Sequence, residues 1–204
     1  MFDKTLTIID VETTGGSPFL NRIIEIGLIR IEHGEVVDIY RTLLNPEVQL
    51  PEFITKLTGI KDEDLIDQPT FFEIKDKLMN YFENAVFVAH NAMFDYSFIS
   101  EEFKRVGYGF SAERICTVRL SRFLYPKEKH HNLTALIERF AIECKNRHRA
   151  LDDAMVLWDF LKIISDKFTK IELNEAIGRQ LKGTGFNGKP DSELSYEYDL
   201  TSGQ

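Results

Sequence analysis

Three β-branched runs, Thr5 to Asp10, Arg22 to Glu32 and Glu35 to Leu44, precede any helical periodicity in this chain. The first is rich in Ile and Thr and breaks at Thr13-Thr14-Gly15-Gly16-Ser17-Pro18, which predicts a buried strand entering a loop. Only His33-Gly34 separates the second and third runs, so these are expected to fold back as an antiparallel hairpin. The period then changes. Thr70-Phe71-Phe72-Glu73 has the form of a capping box, and Phe71, Ile74, Leu78, Tyr81 and Phe82 follow at helical spacing up to about Glu83. Ala85 to Ala89 reads as a fourth strand, Tyr96 to Val106 as a helix stopped by Gly107, and Ile115-Cys116 as a brief fifth strand. Leu133 to Ile142 and Ala150 to Phe168 complete the helices. A strand meander followed by alternating strands and helices predicts an α/β fold: a five-stranded mixed sheet flanked by helices, not a sandwich or a bundle.

At 204 residues, 43% of them hydrophobic, the chain can bury one good core. It reads as a single domain over residues 1–171. The remainder, 172–204, is less apolar and contains Gly183-Thr184-Gly185-Phe186-Asn187-Gly188-Lys189-Pro190, so a tail, linker or interaction segment is expected. No apolar run approaches the roughly 18 residues of a membrane span, and MFDKTLTIID is not expected to act as a signal peptide. Cys116 and Cys144 show neither CxxC spacing nor a disulfide framework, which fits reduced thiols in a cytoplasmic protein.

Chemistry concentrates in three segments: Asp10-Val11-Glu12, His90-Asn91-Ala92-Met93-Phe94-Asp95 and His148-Arg149-Ala150-Leu151-Asp152-Asp153. Singly, each has an ordinary explanation. With 33 acids in 204 residues, roughly five acidic pairs at this spacing arise by chance, and Asn91 or Asp95 would serve as a helix cap. Placement says more. Strand side chains alternate faces, so Asp10 and Glu12 project the same way from the end of the first strand. The second segment follows the fourth strand, where α/β sheets bind ligands. Five residues along a regular helix turn by about 140°, so His148 and Asp153 converge only if His148 precedes the helix and Asp153 lies in its first turn. Asp152 competes with Asp153 for that place. Four carboxylates suit a pair of Mg²⁺ or Mn²⁺ ions, which prefer oxygen ligands, and His148 is a candidate base for an attacking water.

A net charge of −8 speaks against a nucleic-acid binder. Bound cations would offset the acidic cluster, however, and the run Lys145-Asn146-Arg147-His148-Arg149 supplies a candidate local patch for a phosphate backbone.

Taken together, in their order and separation, the three segments resemble the exonuclease motifs of the DEDDh, or DnaQ-like, 3′-to-5′ exonuclease family over Leu6 to Leu161. Ile23-Ile24-Glu25-Ile26-Gly27, Asn45-Pro46, Leu57-Thr58-Gly59-Ile60 and Asn132-Leu133-Thr134-Ala135-Leu136 resemble it too. Within the family the likeness is greatest to proofreading epsilon subunits of bacterial DNA polymerase III and to PolC-type exonuclease domains. The resemblance implies a ribonuclease H-like fold and two Mg²⁺ or Mn²⁺ ions held by Asp10, Glu12, Asp95 and Asp153. It selects Asp153 over Asp152, because the family's histidine is followed five residues later by the ligand. His148 would be the catalytic base, with Thr13, Thr14 and Leu57 contacting the substrate. That substrate would be a single-stranded or frayed DNA 3′ end, cut to nucleoside 5′-monophosphates in proofreading or repair. The implied partners are a DNA polymerase or a fused domain, and no membrane. The alternatives are an RNA-directed exonuclease of the same family and a noncatalytic nucleic-acid- or polymerase-binding module. The intact set of acids and histidine weighs against the latter.

Overall fold

The computed structural model describes residues 4–182. Five strands form one sheet: β1 (Thr5–Thr13), β2 (Ile23–Glu32), β3 (Glu35–Leu43), β4 (Ala85–Ala89) and β5 (Arg114–Cys116). Their spatial order is β3-β2-β1-β4-β5, with β3, β2 and β1 antiparallel and β1, β4 and β5 parallel. The sheet is mixed because the first two connections are short and the later ones carry helices. At the β2–β3 hairpin His33 and Gly34 both have positive φ, 52° and 81°, the left-handed pair that matches the twist of the flanking strands.

The helices are α1 (Glu52–Thr58), α2 (Asp62–Leu65), α3 (Phe71–Phe82), α4 (Met93–Arg105), α5 (Thr117–Leu124), α6 (Leu133–Phe140), α7 (Ala150–Lys167) and α8 (Lys170–Lys182). On one face of the sheet Leu6, Ile8, Ile29, Val86 and Val88 meet Leu136, Leu157, Phe160 and Leu161 from α6 and α7. On the other, Ile9, Val11, Leu28 and Phe87 meet Ile74, Leu78, Phe98 and Phe103 from α3 and α4. Each such side chain removed from water contributes about 1.5–3 kcal/mol. The capping box at α3 is formed: the Thr70 amide donates to Glu73 Oε2 at 2.7 Å. No helix among the described residues is long and apolar enough to cross a membrane.

α1, α2 and α5 are additions to the elements expected from the sequence, and two expected boundaries fall elsewhere. α4 starts at Met93 rather than Tyr96, because Asn91 adopts a left-handed φ of 57° that turns the chain straight into the helix. The boundary expected at residue 171 falls inside α8. Thr169 opens that helix by donating from its amide and hydroxyl to Glu172 Oε2, at 2.9 and 2.7 Å. Leu173 and Ala176 join the core. The buried side chain of Gln180 accepts from the Cys116 amide at 2.7 Å, tying α8 to the end of β5. Only this narrow stripe is buried, so the segment reads as polar. Gly183 to Pro190 lies outside the described residues.

Among the described glycines, Gly27 has the least room for a side chain. A Cβ there would fall on the backbone of Ala150 and Leu151, so α7 begins directly against β2. Backbone cannot swing aside as a flexible side chain can. Gly27→Ala is therefore expected to cost about 3 kcal/mol by overpacking, lowering the melting temperature by about 6–12 °C for a chain of this size. Thermal denaturation of both proteins measures this, and an unchanged midpoint would contradict the packing described.

Candidate metal centre

Parity along β1 sorts its side chains. Leu6 and Ile8 pack toward α7, and Ile9 and Val11 toward α3 and α4. Asp10 and Glu12 therefore continue the α7 face just past the apolar core. Across the β1–β2 ladder Asp10 lies opposite Gly27, and Glu12 opposite Glu25.

Glu25 has no exposed surface. Its Oε1 accepts from Arg41 Nε at 2.7 Å and Arg149 Nη2 at 3.1 Å, while Oε2 accepts from Arg149 Nε at 3.1 Å and the Ala150 amide at 3.2 Å. Charge-assisted bonds of this kind are short and directional, and here they fasten the first residues of α7 to the sheet. One turn into that helix, Asp153 is buried, and its Oδ2 accepts from the His148 amide at 3.3 Å and from Arg147 Nη1. His148 lies two residues before the helix with a φ of 61°, a conformation uncommon outside glycine. That turn lets the imidazole face back toward Asp153. Glu12, His148 and Asp153 each present a possible ligand atom, and these atoms lie within 4.8 Å of one another.

Asp95 comes from the opposite face of the sheet, in the first turn of α4. It is buried, and its Oδ1 accepts at 3.2 Å from the Val11 amide, between Asp10 and Glu12 in β1. Four carboxylates from three segments thus meet at one sheet edge.

Their electrostatics follow from that crowding. Loss of water, then the charges of Asp153, Asp95 and Glu12, holds Asp10 well above the ordinary carboxylate range. Burial raises Glu12 to about 8, reinforced by Asp153 and Glu25. Burial also raises Asp95 to about 8, against the opposing effect of the Val11 amide. Asp153 is raised by burial and pulled back by the Arg147 guanidinium. Such a set resists ionising together unless a cation is bound, and its oxygen donors fit a hard divalent ion. His148 is shifted down by burial and then by Arg147, so it is neutral near pH 7 and able to accept a proton.

The other expected site residues divide. Thr13 and Thr14 are buried, and their hydroxyls are engaged locally: Thr13 Oγ1 donates to the Gly15 carbonyl at 2.8 Å, and Thr14 Oγ1 accepts from the Arg22 amide at 3.0 Å. What this turn can offer a substrate is backbone. Leu57, on α1, is 42% exposed. The basic run at Lys145–Arg149 is not the loose patch its composition suggests, because Arg147 pairs with Asp153 and Arg149 with Glu25. His90 stands outside the carboxylate group; its Nδ1 lies 2.8 Å from Thr117 Oγ1, linking the end of β4 to α5, and burial pulls its pKa to about 3. Glu25 and Gly27 position the cluster without being among the expected site residues. Their signal was an isolated acid and a glycine inside the apolar run Ile23-Ile24-Glu25-Ile26-Gly27-Leu28.

The exonuclease family model RNase_T matches residues 7–161. A PolC-type DNA polymerase III of Clostridium perfringens is 39% identical over 161 residues, which are 79% of this chain and 11% of that protein, so the chain corresponds to a small part of its relative. Among solved structures, Exonuclease X in complex with 5′ overhanging duplex DNA is 27% identical with a TM-score of 0.61, covering 85% of this chain and 99% of the other. The nuclease domain of 3′hExo, a DEDDh family member bound to rAMP, shares the fold at 21% identity and a TM-score of 0.69, covering 81% and 94%. The matched span begins in β1 and ends in α7, the elements carrying the first and last acids of the cluster, and the chain therefore belongs to the RNase_T exonuclease family.

Proposed function

We propose that this protein is a two-metal 3′-to-5′ exonuclease that hydrolyses the terminal phosphodiester of a DNA strand and releases nucleoside 5′-monophosphates. The observation that carries this reading is the convergence of Asp10, Glu12, Asp95 and Asp153 with a neutral histidine at one sheet edge. The four carboxylates would hold two Mg²⁺ or Mn²⁺ ions. When bound, the ions supply Lewis-acid activation of water and stabilisation of the departing 3′ oxygen. His148 accepts the proton of the attacking water, its ring held at the rim by the left-handed turn that precedes α7. The backbone of Thr13 and Thr14 and the exposed side chain of Leu57 meet the terminal nucleotide, apolar contact suiting an enzyme that accepts every base.

DNA is favoured by the PolC-type relative and by Exonuclease X in complex with duplex DNA. Likeness to a PolC-type DNA polymerase III supports a role beside a polymerase or within a fused chain. RNA is the competing substrate, since 3′hExo is bound to rAMP. Parallel digestion of single-stranded, matched and mismatched DNA and RNA ends decides between them. DNA proofreading predicts fastest loss of the unpaired or mismatched DNA 3′ end, whereas preferential loss of RNA would reassign the substrate.

Asp10→Ala should abolish mononucleotide release in Mg²⁺ or Mn²⁺, as should a chelator in the parent protein; persistent activity in that variant would sink the mechanism. His148→Ala should lower turnover by roughly 10²–10⁴ while calorimetric Mn²⁺ affinity changes far less. Equal loss of both would make the histidine a ligand or a scaffold residue.

The carboxylates also set a pH dependence. Folded pKa values near 8 for Glu12 and Asp95, against ordinary unfolded values, mean that the folded state binds the extra protons. Their contribution is fully present below about pH 4 and is lost as the pH rises through about 8. Chelated protein should melt at progressively lower temperature from pH 5 to pH 8.5, and added Mn²⁺ should flatten that profile. A chelated profile that rises with pH would contradict the charge balance described.

A further inference from the structure

Arg147 and Arg149 stand two residues apart and both make ion pairs, but on carboxylates with different work. Arg149 forks onto Glu25, its Nε and Nη2 each 3.1 Å from a carboxylate oxygen, and Glu25 is a scaffold acid outside the proposed ligand set. Arg147 instead places Nη1 on Oδ2 of Asp153, a proposed ligand. Both oxygens of that carboxylate are engaged, because Oδ2 also accepts from the His148 amide at 3.3 Å and Oδ1 lies 3.8 Å from the Cys144 thiol. Asp153 is at the same time one of three residues, with Glu12 and His148, whose possible ligand atoms lie within 4.8 Å of one another. The guanidinium therefore sits against the cluster itself.

Its charge reaches beyond the acid it touches. Burial raises Asp10, Glu12 and Asp153, and in each the Arg147 charge opposes that rise. One guanidinium thus favours the ionised form of three acids, the service that a divalent ion performs with more charge and more ligand bonds.

Arg147 is also built to leave. Among the described residues its hydrogen bonding rests on Asp153 alone, whereas Arg149 is held through two nitrogens. The Arg147 side chain is 31% exposed, so water already lies on one side of it and rotation about its stem carries the charged head outward. A divalent ion on Asp153 would stand a few ångströms from that head, where like charges in a partly buried site repel strongly. The His148 amide, being backbone, has no such freedom and keeps the carboxylate aimed.

We propose that Arg147 is a resident counter-ion of the carboxylate cluster, displaced from Asp153 into solvent when a divalent ion binds, so that metal loading is an exchange of cations. The proposal rests on the two-metal reading above. Its consequence is regulatory: the guanidinium compensates the acids before loading and raises the metal concentration at which the centre fills.

Nitrogen-15 NMR of the arginine side chains follows the exchange without any substrate. In chelated parent protein the Arg147 guanidinium signals, assigned by their absence from Arg147→Lys, should show the slow proton exchange of an ion-paired group, and saturating Mg²⁺ should move them to the position of a solvated arginine. Signals that stay in place while the β1 backbone amides respond to Mg²⁺ would overturn the proposal and leave the two-metal reading intact. Amides indifferent to both Mg²⁺ and Mn²⁺ would overturn the two together. Calorimetry supplies a second measure. Arg147→Gln should bind Mn²⁺ about tenfold more tightly, the worth of one hydrogen bond to a charged group, and its chelated form should melt below the chelated parent. Arg147→Lys keeps a positive charge and should stay close to the parent in Mn²⁺ affinity. A residue that only positioned Asp153 would give the opposite sign, so unchanged or weaker Mn²⁺ binding by Arg147→Gln would overturn the proposal. Should that variant fail to fold, the Mg²⁺ titration of the parent decides alone.

Discussion

The seam between β2 and the first turn of α7 is the constraint on which the rest of the carboxylate cluster depends. It has two parts. Gly27 lacks the Cβ that would collide with Ala150 and Leu151, so helix and strand touch backbone to backbone. Beside it, Glu25 draws Arg41, Arg149 and the Ala150 amide onto one buried carboxylate. A buried ion pair of this kind is weak as a source of net stability, because desolvation consumes much of the attraction. Its directionality is what matters here, since it sets where α7 begins and hence where Asp153 and His148 stand relative to Asp10 and Glu12. Breaking it would leave a charge stranded in the sheet, so the geometry is held by the cost of every alternative.

The centre lies where two independent layers end. Asp95 arrives on α4 from the face built around Phe87, Phe98 and Phe103, while Asp153 arrives on α7 from the face built around Leu157, Phe160 and Leu161. β1 runs between them and carries the first pair of acids out beyond both cores. Burying four carboxylates in one place destabilises the fold: burial raises both Glu12 and Asp95, and the charges of Asp153 and Glu25 raise Glu12 further. The two apolar layers can bear that load, and Arg147 on Asp153 offsets part of it. The same logic accounts for the left-handed His148: local strain is kept where neighbouring elements leave the chain no other route.

Strongly periodic elements were legible in the sequence. β1, the β2–β3 hairpin, α3, β4 and α7 each have a run of side chains long enough to show its period, and α3 announces its start with Thr70 and Glu73. Short or narrow elements were not. α1, α2 and α5 span eight residues or fewer, and α5 follows β5 with no intervening loop, so neither period has room to repeat. α8 buries Leu173, Ala176 and Gln180 along one thin stripe, and its polar majority outweighs that signal. Its opening residues, Thr169 and Glu172, carry the same cue as α3 but lack a broad apolar face to confirm it.

By itself the sequence determined the parity that puts Asp10 and Glu12 on one side of a strand, the order of the three acidic segments, and the requirement that His148 precede its helix. Those are properties of neighbours along the chain, and the geometry of strands and helices is enough to derive them. Tertiary structure alone decided that Arg147 and Arg149 serve internal ion pairs rather than an open basic patch, and that Glu25 and Gly27 position the whole. Each of these depends on residues separated by anything from a loop to more than a hundred positions. Their partners are chosen by packing and by the cost of leaving a buried charge unpaired, which no local pattern encodes.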